Sequence, residues 1–150
     1  MKQVAILFII LILFVGCSGY LEIEEPTYTT LDELCLYVHN NIDYIRDVHS
    51  QEVVEYFQSP KESQELLTGD CEDYTIYFMY LAYKELDIKP ALSVVRIEDI
   101  GFHAIAFYDG IYYDPTEMFI FEELPNSWHH VINWNYDLIM IYATEFYTKG

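Results

Sequence analysis

The sequence predicts an α+β domain in which helices pack on an antiparallel sheet. Residues 30–48 carry apolar side chains at helical spacing, and residues 71–89 continue for nineteen positions without Gly or Pro. From Ala91 onward the chain changes to β-branched and aromatic runs, two of them joined by Asp109-Gly110, a dipeptide suited to a two-residue hairpin turn.

A chain of 150 residues suits one domain, and a 53% hydrophobic composition with 15 Tyr and 9 Phe supplies a core. The formal charge of −18 argues against DNA or RNA as partners, because no basic stripe is present to neutralise phosphates. A cationic substrate or a divalent metal suits it better.

The amino terminus reads MKQVAILFIILILFVGC: one basic residue, Lys2, an apolar run from Val4 to Val15, then Gly16 and Cys17. Twelve apolar residues are too few for a membrane span of about twenty and fit a signal-peptide core. FVGC resembles the lipobox of bacterial lipoproteins, with Phe14 where an aliphatic residue is usual. The resemblance implies cleavage before Cys17, lipid on its sulfur, and a lipid-anchored protein of the bacterial cell envelope, outside the cytoplasmic membrane. An uncleaved anchor helix is the alternative and places the domain on the same side. The expected organisation is a signal peptide over 1–16, a lipidated cysteine and tether over 17–28, and a folded domain over 29–150. Removing residues 1–16 takes away Lys2 and no acid, leaving a formal charge of −19.

In the first predicted helix, Thr30 and Glu33 form a capping box, and Leu31, Leu34, Cys35, Val38, Ile42 and Ile45 recur on one face. Cys35 is accordingly expected in the core. Residues 48–58 fit either a loop or a poor helix. Ser59, Pro60 and Glu62 then supply a cap, a first-turn proline and a capping-box acid for a short helix to about Leu67, ended by Thr68 and Gly69.

The next helix begins in TGDCED, with Asp70 as N-cap, Asp73 reaching back and Cys71 at the first helical position. Asp70, Glu72 and Asp73 stand where carboxylates favour the positive end of a helix dipole. With those acids turned to the backbone, the helix terminus is expected to lower the thiol pKa of Cys71. Its helical face is shared with Thr75, Phe78 and Ala82, so a buried structural cysteine is the competing reading.

Strands are expected over 91–97 and, around the Asp109-Gly110 turn, within 101–116. A two-residue turn pairs Tyr108 with Ile111, which sets Ile105 opposite Asp114. His103, Ile105 and Asp114 then share one face, and His103 lies diagonal to Asp114 within side-chain reach. An imidazole oriented by a carboxylate is the arrangement that serves a nucleophile. The bland alternatives are a half-buried strand histidine and an aspartate that starts a turn before Pro115.

GDCEDY followed by HAIAFYDGIYYDPT resembles the transglutaminase-like superfamily of papain-related cysteine enzymes. YFQSPKESQELLTGDCEDY is similar to its bacterial cysteine proteinases. The likeness covers about residues 54–117. It implies a helix-plus-antiparallel-sheet core with Cys71 as nucleophile, His103 as general base and acid, and Asp114 as the residue that orients His103. It further implies an oxyanion hole using the Cys71 backbone N–H, with the Gln58 side chain as a candidate second donor. Calcium at Asp70, Glu72 and Asp73 is compatible with that resemblance, since carboxylate oxygens suit a hard cation; the chemistry itself requires no cofactor. The cysteines and histidines lack paired short spacing for zinc, and His129-His130 fits a loop or strand edge.

The remaining segment from Met118 alternates aromatic and aliphatic residues and is expected to complete the sheet, with a buried strand over 138–143. Tyr112, Tyr113, Trp128 and Trp134 are candidates for lining a cleft or for packing the core. The reading is an envelope thiol hydrolase or acyltransferase acting on peptide or protein amides. A catalytically silent member of the fold that binds peptide or glycan is the alternative, and a calcium-dependent structural lipoprotein is the third.

Overall fold

The computed structural model describes residues 27–46 and 56–145. Cys17, the signal-peptide and tether expectations, and most of the segment 48–58 lie outside the described residues. Helix α1, Leu31–Asn41, starts on the Thr30–Glu33 capping box and buries Leu34, Cys35 and Val38. It stops earlier than its periodicity suggests. Ile42 turns to extended backbone, Asp43–Tyr44 form strand β1, and Ile45 is 57% exposed rather than on the core face. Competing hydrogen bonds account for this. The Tyr74 hydroxyl donates to the Ile42 carbonyl, while Asp43 N and Ile45 N donate to Leu67 O and Gly69 O at 2.8 Å each.

Those acceptors flank strand β2, Thr68–Gly69, which pairs in parallel with β1. Helix α2, Pro60–Leu66, carries the Ser59–Glu62 capping box and ends at Leu67, whose left-handed backbone (φ 53°) turns the chain. Thr68 and Gly69, expected only as a helix stop, thus also tie the end of α1 to the start of the next helix. Gly69 is required there because a Cβ would stand 2.6 Å from Asp73 Cβ and 2.9 Å from Asp73 Oδ2. Gly69→Ala is expected to cost about 1–3 kcal/mol through overpacking. Urea denaturation checks this, and an unchanged midpoint would contradict the close contact.

Helix α3, Cys71–Leu86, is the central element: its residues Glu72 to Met79 are all buried, with Phe78 and Met79 fully so. It packs against α1, α2 and the sheet. The sheet runs β6-β5-β4-β3-β7 and is antiparallel throughout. Strands β3 (Ala91–Ile97), β4 (Gly101–Tyr108) and β5 (Ile111–Asp114) fall where the sequence predicts them. Asp109 and Gly110 both take positive φ, 48° and 84°, and the register runs Tyr108↔Ile111, Phe107↔Tyr112 and Ala106↔Tyr113.

Strands β6 (Phe119–Phe121) and β7 (Trp128–Trp134) fill the two edges. The buried strand expected over 138–143 is instead part of helix α4, Tyr136–Glu145. Asn135 Oδ1 accepts from Leu138 N at 2.9 Å, and Tyr136, Ile139 and Ala143 are buried at helical spacing. Among the described residues no helix is long and apolar enough to cross a membrane.

Candidate active site

Asp73 organises the start of α3. Its buried carboxylate accepts Gln58 N–H at 2.8 Å through Oδ1 and Asp70 N–H at 3.2 Å through Oδ2, joining the loop before α2 to the helix terminus. Cys71 follows as the first helical residue. Thr75 Oγ1 lies 2.8 Å from Cys71 O and 3.0 Å from Ala104 O, so one hydroxyl bridges the start of α3 to β4. The Ala104 N–H favours the ionised Cys71 sulfur, which places the thiol beside the residue that follows His103.

His103 Nε2 lies 2.7 Å from Asp114 Oδ2, the diagonal contact expected from the hairpin register. Asp114 is fully buried, and its Oδ1 accepts from Thr116 N at 3.0 Å and Glu117 N at 3.2 Å. Both carboxylate oxygens are therefore engaged. With Nε2–H donating to the Asp114 carboxylate, Nδ1 carries the free lone pair. Two supports were not legible in sequence. His39 Nδ1 lies 3.0 Å from Thr116 O and braces the turn that supplies the Asp114 partners. The Trp128 ring stands edge-on to the His103 ring at 5.6 Å, interplanar angle 85°.

Cys71, His103, Asp70 and Glu72 line a cleft of about 770 Å³, walled largely by apolar side chains. Trp128 and Trp134 line it, as two of the four aromatic candidates. Tyr113 instead stacks on Phe78 in the core at 5.6 Å, and Tyr112 stacks on Phe121 at 5.8 Å. Gln58 is buried with its Oε1 accepting from Ser63 Oγ at 3.3 Å, and its neighbour Phe57 lines the cleft. His129 and His130 lie on edge strand β7, exposed, near Glu98 and Asn133.

The electrostatics depart from expectation. Glu72 is buried and faces the sulfur, so that Cys71 Sγ donates to Glu72 Oε2 at 3.3 Å. Burial, then the Glu72 charge, pushes the Cys71 thiol well above its ordinary value, although the adjacent Ala104 N–H opposes the shift. Burial and the neighbouring Asp70 raise Glu72 itself to about 9. The resting thiol is therefore protonated, because helix position alone does not overcome desolvation beside an acid.

Ligand atoms of Asp70, Cys71 and Glu72 lie within 4.8 Å of one another, and Asp70 Oδ1 is buried without a partner. An orphaned carboxylate oxygen beside a second carboxylate fits a hard cation. Asp73 is absent from this group because its oxygens serve backbone N–H groups.

No family model matches the sequence, and no curated protein matches it. Solved structures do resemble it. EGTA-treated LapG of Legionella pneumophila aligns with a TM-score of 0.60 at 19% identity, over 75% of this chain and 65% of that one. Calcium-bound LapG aligns with a TM-score of 0.58 at 19% identity, over 73% and 67%. The likeness shows the fold, in which helices pack on an antiparallel sheet as they do in LapG.

Proposed function

We propose that this protein is a lipid-anchored cysteine peptidase or acyltransferase of the bacterial cell envelope, acting on peptide or protein amide bonds through a thioester at Cys71. The observation that carries the reading is His103, held at 2.7 Å by a buried and fully engaged Asp114, in the same cleft as a helix-initial cysteine. His103 Nδ1 takes the thiol proton as sulfur attacks the amide carbon. The developing oxyanion is stabilised by backbone N–H groups at the start of α3, including that of Cys71. The C–N bond then breaks, the imidazolium protonates the leaving amine, and water or a second amine attacks the thioester with His103 again as base. Gln58 is not among the residues that line the cleft, and its Oε1 accepts from Ser63, so the geometry gives its side chain no specific support as the second donor.

Asp70 and Glu72 would hold calcium, whose charge offsets the carboxylates beside the sulfur; the calcium-bound state of the structurally similar LapG supports this. The FVGC pattern supports lipidation of Cys17. Cys17→Ser is expected to move the protein from membranes to the soluble fraction, and full membrane retention would oppose the lipid anchor.

The test of activity is incubation of the full chain with an unfolded protein substrate and hydroxylamine, with calcium or chelator. Peptide fragments report hydrolysis and hydroxamates report acyl transfer. Cys71→Ala and His103→Ala should abolish both, and a thioester adduct should be seen by mass only where Cys71 is present. Turnover that persists in Cys71→Ala sinks the mechanism. A silent binding module is the second reading, favoured by the Glu72 contact that keeps the thiol neutral. Absence of adduct and turnover in the wild-type chain with calcium would select it.

A further inference from the structure

The cleft beside Cys71 is walled largely by apolar side chains. Ile100 and Phe102, close to His103 along the chain, are each 71% exposed, and Phe119 and Ile132 join the two tryptophans along its wall. Apolar side chains this exposed beside a reactive centre gain free energy when a ligand covers them. The charged groups on the same wall are unbalanced: Asp70 and Glu117 stand against one cation, Arg46. The whole chain adds a formal charge of −18, so the potential at the cleft attracts cations and repels acidic segments.

We propose that this cleft recognises a polypeptide segment in which a bulky apolar residue, of the Leu or Phe class, neighbours a lysine or arginine. The inference rests on the peptidase reading of the site and adds to it the substrate side chains. Phe102, Trp128 and Trp134 cover the apolar side chain, while the exposed Glu117 faces the basic neighbour. Small or acidic residues at those positions leave the wall wet or the charge unfavourable, which is how the site discriminates.

Trp128 and Trp134 are the only tryptophans of the chain and both line the cleft, so their emission reports its occupancy. The full chain carrying Cys71→Ala, reconstituted in phosphatidylcholine vesicles, is titrated with four peptides of equal length. Their central residue is Phe or Ala and its flanks are Lys or Glu. The Lys-flanked Phe peptide is expected to bind roughly ten- to a hundredfold more tightly than the Lys-flanked Ala peptide. It should also bind more tightly than the Glu-flanked Phe peptide, with that second difference shrinking as salt is added. Glu117→Lys should weaken or reverse the preference for Lys flanks without removing the preference for Phe. Equal binding of all four peptides, or no saturable binding of any, overturns the proposal. So does an emission change that follows protein concentration alone, which would mean that a second copy fills the cleft. Binding is read without the nucleophile, so failure of wild-type turnover refutes the peptidase reading separately from this titration.

Discussion

Asp114→Asn is expected to lower kcat by about three to four orders of magnitude, an effect of the size seen when a triad carboxylate elsewhere becomes an amide. The cause lies in which atoms are already committed. Thr116 N–H and Glu117 N–H fix an acceptor at the Oδ1 position, so an asparagine keeps its oxygen there and turns its NH2 toward His103 Nε2. Nε2 must then accept, which moves the ring proton to Nδ1 and removes the base that serves Cys71. Stopped assays should show kcat falling far more than KM changes, with the urea midpoint close to wild type. A variant that turns over within tenfold of wild type would refute the orienting role.

Glu72→Gln is expected to act in the opposite direction on the nucleophile. It removes the negative charge that Glu72 places beside the Cys71 sulfur once pH passes about 9, and leaves an amide able to donate to a thiolate. The pH at which iodoacetamide alkylates Cys71 should fall by at least about one unit, with the gain in rate largest above about pH 9, where wild-type Glu72 is ionised. Cys35 serves as an internal reference, since burial pushes its thiol up to about 12 and the folded core excludes reagent. Stability should shift as well. With Glu72 raised from 4.5 to about 9, the folded protein keeps a proton that the unfolded chain releases above pH 4.5. That contribution is complete at low pH and is lost as pH rises through about 9. Urea midpoints should therefore decline from pH 5 to pH 9 more steeply in wild type than in Glu72→Gln. Parallel curves and equal alkylation profiles would show that Glu72 does not control the thiol.

The parts of the molecule governed by local rules were legible. Thr30, Ser59 and Asp70 are helix caps because short polar side chains and nearby acids satisfy free N–H groups, a property of four consecutive residues. The His103–Asp114 contact followed from a two-residue turn and strand parity. What escaped depended on distant partners or on rotamers. Ile45 leaves the helical face because β2, over twenty residues away, offers its backbone a better partner. Leu138 to Ala143 reads as strand because apolar residues occupy nearly every position, which hides the helical period. The helix wheel placed Glu72 next to Cys71 without revealing that its carboxyl folds back onto the sulfur. His39 reached Thr116 across 77 residues, beyond any pattern in the sequence.

The hairpin that brings His103 to Asp114 also sets how this chain tolerates changes of length. Two residues with left-handed backbone, Asp109 and Gly110, fix the pairing, and the histidine and aspartate lie on opposite arms of that single turn. One residue inserted at the tip slides β5 by one position and sends every side chain on it to the other surface. The carboxylate would then leave the imidazole although no functional residue had been replaced. The β6–β7 connection has no such constraint, because residues 122–127 link opposite edges of the sheet and set no register between adjacent strands. Over evolutionary time, insertions should therefore accumulate in that connection and be purged from the two-residue tip, where a one-residue lengthening would part the imidazole from its carboxylate without altering either side chain.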